Sequence, residues 1–106
     1  MTDVVLILTT VPDDDRAEPL AQTLVEEGLA ACVNIHGPTT SIYRWKGKVE
    51  REAERQLIIK TTRDRASALE ARIKALHSYE LPEFVILPVE GGSKAYLDWV
   101  RQETGG

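Results

Sequence analysis

The sequence predicts an α+β fold, a two-layer sandwich in the order β-α-β-β-α-β with one further helix. Three observations carry that reading. Short apolar runs recur at residues 4–8, 57–61 and 84–87, with the length and β-branched content of strands. Two stretches between them, 17–25 and 64–77, carry apolar residues at helical spacing. The strand runs do not alternate apolar with polar, so both faces of the sheet read as covered. The 106 residues fit a single domain spanning 1–106.

Taken in order, residues 4–8 form the first strand, and Thr9-Thr10-Val11-Pro12 leads out of it. Asp13, Asp14 and Asp15 supply carboxylates for a helix N-terminus. The first helix carries Ala17, Leu20, Ala21, Leu24 and Val25 on one stripe, with Gly28 at its C-terminal end. Pro19 is tolerable only near a first turn. Residues 30–35 read as a second strand, and Gly37-Pro38 marks a bulge or kink before 41–45 resumes. Lys46-Gly47-Lys48 reads as a hairpin turn. The charged stretch 49–55 is the exposed half of a long strand that continues into 57–61. The second helix has Asp64 as its cap and Ala66, Leu69, Ile73 and Leu76 as its stripe. Residues 84–87 form a fourth strand closed by Pro88. Ser93 caps a last helix through Tyr96, Trp99 and Val100.

This order is the split βαβ, ferredoxin-like arrangement. Two helices cover one sheet face in such a fold, and the third is too short to cover the other. An apolar face of that size exceeds what monomers usually expose. Copies of the same chain are the expected cover.

Composition narrows the function. The formal net charge is −4 and no basic patch is present, which argues against a nucleic-acid partner. No apolar stretch nears the roughly 20 residues that cross a bilayer, and Met1-Thr2-Asp3 has no signal-peptide character. The expectation is a cytoplasmic protein with no membrane partner. Cys32 is the single cysteine, and His36 and His77 are the two histidines. A Cys-rich metal motif within one chain is thereby excluded. No P-loop, dinucleotide fingerprint or nucleophile elbow occurs, so no catalytic residue is assigned.

Several segments together resemble the divalent-cation tolerance (CutA) family. They are Gly28-Leu29-Ala30-Ala31-Cys32-Val33-Asn34-Ile35, Ser41-Ile42-Tyr43-Arg44-Trp45-Lys46-Gly47-Lys48-Val49, Ile58-Ile59-Lys60-Thr61 and His77-Ser78-Tyr79-Glu80-Leu81-Pro82-Glu83. Leu87-Pro88-Val89 and Tyr96-Leu97-Asp98-Trp99 extend the match over nearly the whole chain. The resemblance implies a ferredoxin-like fold assembled as a homotrimer similar to the PII proteins. It also implies copper tolerance and binding of Cu(II) or another divalent cation. There are departures. The family often has proline where this chain has Ser78, and some relatives carry cysteine at positions that look like Thr9 and Arg72. A thiolate-rich copper site within one chain is therefore not available.

Each candidate residue has a bland reading beside its functional one. Cys32 is either a packing residue or a soft metal ligand. His77 is either a cap at the end of the second helix or an imidazole ligand. Tyr79, Glu80 and Glu83 follow His77 in a Pro-containing loop, where functional residues concentrate. Lys60 interrupts an apolar strand and either snorkels at the sheet edge or meets Glu80 or Glu83, as an ion pair at a subunit boundary or in an anion-binding cleft between subunits. Tyr43 and Trp45 are interface anchors or stacking platforms.

Two functional readings lead. One is a homotrimeric divalent-cation (copper) tolerance protein with Cys32 and His77 as metal ligands. The other is a PII-like small-ligand sensor, with intersubunit sites lined by Lys60, Tyr79, Glu80 and Glu83. An enzyme using Lys60, His77 and Glu83, and a purely structural trimer, are further alternatives.

Overall fold

A computed structural model describes residues 2–105; Met1, the first residue of the N-terminal stretch read above, lies outside the described residues. The element order is β1 (Val4–Pro12), α1 (Ala17–Glu26), β2 (Cys32–Trp45), β3 (Lys48–Thr62), α2 (Ala66–Leu76), β4 (Val85–Pro88) and α3 (Lys94–Glu103). The four strands form one antiparallel sheet in the order β2-β3-β1-β4. This is the expected α+β arrangement.

The register divides the sheet into two faces. Val5, Ile7, Thr9 and Val11 stand opposite Thr61, Ile59, Leu57 and Arg55. Successive side chains alternate across a pleated strand. Val5, Ile7, Leu57 and Ile59 therefore meet Leu20 and Leu24 of α1 and Leu69 and Ile73 of α2 in one buried core. The opposite face carries Leu6, Leu8, Ile58, Val85 and Leu87, with Cys32 and Lys60. At one end of it α3 buries Val4 and Ala31 under Leu97 and Val100. Between α3 and the loop after α2 the middle of that face is only partly covered by the described residues: Leu6, Leu8 and Ile58 are half-buried and Leu87 is 38% exposed.

The long β2–β3 ribbon has two local causes. Lys46 and Gly47 both take positive φ, 49° and 81°, the geometry of a tight two-residue hairpin turn. The pairing then shifts between His36↔Gln56 and Thr39↔Glu54, so β2 spends one extra residue at Gly37-Pro38. A bulge of one residue turns the following side chains over. Tyr43 and Trp45 thus share a face with Cys32, which unbroken alternation would have denied them. Gly37 is required there: its φ is +137°, and a Cβ would sit 3.2 Å from the Arg55 Cα.

Several expected details change. β1 runs on to Pro12, because β3 is long enough to pair with it through Glu54. β2 begins at Cys32 and β4 at Val85. The carboxylates cap differently from expectation. Asp14 accepts from the Arg16 backbone N–H at 3.0 Å, ahead of α1. Asp64 lies in a 3-10 turn and accepts from the Thr62 hydroxyl at 2.6 Å, leaving α2 to begin at Ala66. Ser93 does cap α3, through Tyr96 N–H at 3.3 Å. Val25 and Leu76 fall outside their buried stripes. On α3 it is Leu97, not Tyr96 or Trp99, that joins Val100 in the core.

Candidate functional site

The most chemically organised region lies where the far half of the β2–β3 ribbon meets the loop after α2. Past the bulge, Thr39, Ser41 and Tyr43 stand opposite Glu54, Glu52 and Glu50. The alternation places these six side chains on one face of the ribbon. The 78–84 loop folds over that face and encloses a groove of about 860 Å³. Tyr43, Trp45, Tyr79, Phe84, Glu54 and Glu83 are among its walls.

Glu54 anchors the groove. It is only 6% exposed, and its Oε2 accepts from the Tyr79 hydroxyl at 2.7 Å. Burial, then the bond to the Glu54 carboxylate, pushes the Tyr79 hydroxyl far above the ordinary tyrosine range. Burial, then the charge of Glu54, also raises the Glu83 carboxyl. Burial, with Glu52, Glu54 and Glu50 behind it, raises Tyr43. All three directions share one cause, partial burial close to the carboxylates of the ribbon.

His77 holds the loop in place. It is the residue after the last turn of α2, extended at φ −82° and ψ 146°, with its N–H on the Ile73 carbonyl. Its Nδ1 accepts from the Tyr79 backbone N–H at 3.1 Å. Its Nε2 lies 2.6 Å from the Thr10 carbonyl, which can only accept. The neutral imidazole protonated on Nε2 satisfies both contacts, and neither nitrogen is then free for a metal. Lys46 reaches Glu80 at 3.5 Å, tying the hairpin tip to the loop.

The structure brings Tyr79, Glu80 and Glu83 together and leaves Lys60 out. Lys60 stands opposite Leu6 whereas Glu54 stands opposite Pro12, about 20 Å apart along the strand at 3.3 Å per residue. Within its own chain Lys60 meets an aromatic ring: its Nζ lies 5.6 Å from the centre of the Tyr96 ring. Cys32 is half-buried and stands opposite Lys60 at that same end. Its row is thus about 13 Å along the sheet from Thr10, where His77 binds. Cys32 and His77 do not converge within one chain. Among the described residues no group of three or more His, Cys, Asp or Glu side chains is placed to hold a metal ion. One chain therefore does not supply a fitting copper site.

Glu54 is the residue that sequence reasoning missed. Its signal was the period-2 series Glu50, Glu52, Glu54 in a stretch assigned to an exposed strand. Nothing local says that a loop from beyond α2 will bury the last of the three.

Comparison with known proteins bears on this arrangement. The family model described as CutA1 divalent ion tolerance protein matches residues 5–103. The divalent-cation tolerance protein CutA of Thermus thermophilus is 51% identical over 105 residues, covering 99% of this chain and all of that protein. The chloroplastic protein CutA 1 of Oryza sativa is 42% identical over 94% of this chain, which spans 56% of that longer relative. A solved structure of the divalent cation tolerance protein from Thermus thermophilus superposes with a TM-score of 0.93 at 49% identity, covering 96% of this chain and 99% of that one. The chain belongs to the CutA1 divalent ion tolerance protein family.

Proposed function

We propose that the protein is a homotrimeric, cytoplasmic divalent-cation binding and tolerance protein, with copper as the cation. The observation that carries this reading is the partly covered sheet face. It presents Leu6, Leu8, Ile58, Val85 and Leu87, an apolar set that association would remove from water. Cys32 lies on the same face, so association would pool thiols that a single chain holds apart. Thiolate selects soft ions such as Cu(I) and also takes borderline ones. His77 would join as a ligand only by surrendering one of its two hydrogen bonds. Family membership supports the tolerance role. Among the described residues no helix is long and apolar enough to cross a membrane.

Isothermal titration with Cu(II), and with Cu(I) under reducing conditions, tests the reading. Cys32→Ala is expected to abolish the tightest binding and His77→Ala to weaken it. Unchanged affinity in both variants excludes them as ligands. Sedimentation tests the assembly: a trimer is expected, and Leu87→Asp is expected to yield folded monomers.

A second reading, a PII-like trimeric sensor of a small ligand, is favoured by the groove under the 78–84 loop. Its walls combine aromatic faces with a few convergent polar groups, the usual make-up of a ligand site. Of the residues first assigned to such a site, Tyr79, Glu80 and Glu83 line it in one chain. Lys60 would have to come from a neighbouring copy. A thermal-shift screen without metal separates the two readings.

A further inference from the structure

We propose that Lys60 of one copy docks in the groove of the next, between the β2–β3 ribbon and the 78–84 loop, and pairs there with Glu83. The inference deepens the homotrimer reading and rests on it, naming the contact that joins the copies head to tail. Its first support is a pair of unmatched charges. Lys60 is half-buried, and among the described residues its ammonium meets only the Tyr96 ring. Glu83 is half-buried too, and its carboxylate has neither a hydrogen bond nor an ion pair among the described residues. Burial, then the charge of Glu54, raises the Glu83 carboxyl, as befits an acid short of counter-charge. Unpaired charges are costly to withdraw from water, and each of these two lacks what the other has.

One chain cannot join them. The groove that holds Glu83 begins at Glu54, about 20 Å along the strand from Lys60. Leu6, Leu8, Ile58 and Leu87 lie between, an apolar strip on the same sheet face that association would remove from water. Complementary ends on one face are what a head-to-tail contact needs, and such contacts close into a ring when the rotation allows. Each copy then gives one lysine and receives one. The other candidates are occupied: Glu80 is engaged by Lys46, and Glu54 by the Tyr79 hydroxyl. Between Glu54 and Thr62, Lys60 is the one basic side chain that β3 turns to this face. The walls suit it, because Tyr43, Trp45 and Phe84 line the groove and aromatic faces attract an ammonium. Tyr96, 42% exposed beside Lys60, would enter the contact with it, as aromatic side chains do at interface cores.

Zero-length carbodiimide coupling of the full chain tests the contact, because it joins an ammonium to a carboxylate only where the two touch. Covalent trimers are expected, with a Lys60–Glu83 isopeptide bond found by peptide mass spectrometry and absent from Glu83→Gln. Charge exchange is the second arm. Lys60→Glu and Glu83→Lys are each expected to weaken assembly about tenfold per contact in sedimentation equilibrium. The double variant is expected to recover most of that loss. Both positions are half-buried rather than in the core, so each variant is expected to fold, which circular dichroism checks. Trimers with no Lys60–Glu83 bond overturn the proposal and leave the homotrimer reading standing. Coupling of Lys60 to a different carboxylate does the same, as does a double variant that assembles no more tightly than the single ones. A parent chain that sediments as a monomer overturns both.

Discussion

The two faces of the sheet are built on the same strands, yet they are chemically unlike. On the helix side, Val5, Ile7, Leu57, Ile59, Leu24, Leu69 and Ile73 are all but inaccessible to water. There the residue types are interchangeable in principle, limited by volume and shape. On the other side, partly exposed aliphatics separate two polar ends. One end holds Cys32 and Lys60, the other Glu54, Tyr79 and Glu83. Stability is concentrated on the first face. Groups able to bind something are concentrated on the second.

That contrast can be broken from either side. The largest expected effect is on the helix face. Leu69→Ala should cost about 2–5 kcal/mol, since a fully buried leucine leaves a cavity. Urea unfolding measures it, and ligand or metal affinity per folded molecule should not move. A smaller effect is expected at the groove. Tyr79→Phe removes the donor to a buried carboxylate and should cost about 2 kcal/mol. Here the Trp45 fluorescence should change as well, because the loop loses its tie to the ribbon; a loss of stability with an unaltered groove would blur the contrast.

The smallest effect has the opposite sign. The Glu83 carboxyl is raised by burial and by Glu54, so it ionises less readily in the folded chain than in the unfolded one. A raised acid contributes stability at low pH that is lost as pH rises through its folded pKa. Glu83→Gln removes that loss. As Leu87→Asp monomers, where no neighbour reaches the groove, the variant should be more stable than the parent near neutral pH, by about 0.5 kcal/mol, the scale of a change outside the core. The gain should vanish well below the carboxylate range. Unfolding midpoints across that range check both statements.

Much of this could be read before any coordinates. The helix stripes through Leu20 and Leu24 and through Leu69 and Ile73 point inward as their spacing requires. The Gly37-Pro38 irregularity and the Lys46-Gly47 turn are both present, because the sequence offers the chain few alternatives there. The candidate site was legible in part. Tyr79, Glu80 and Glu83 do line one groove, since they share a short loop. Lys60 lies about 20 Å away along the strand within one chain, because sequence distance says nothing about register, and the expected meeting is one between subunits. Tyr96 reaches Lys60 because α3 packs back over that end of the sheet.

The division follows from the range of the forces involved. Local order, from strand runs to helix stripes and turns, depends on dihedral preference and on periodic burial within a few residues. Those are written in consecutive side chains, and so is the excess of apolar strand surface. Which side chains meet is a matter of register and of a single extra residue. The bulge at Gly37-Pro38 turns Tyr43 and Trp45 onto the face of Glu54, and a loop far along the chain, beyond α2, buries that carboxylate beneath Tyr79. No local preference encodes such a meeting, because it exists only once distant segments have packed.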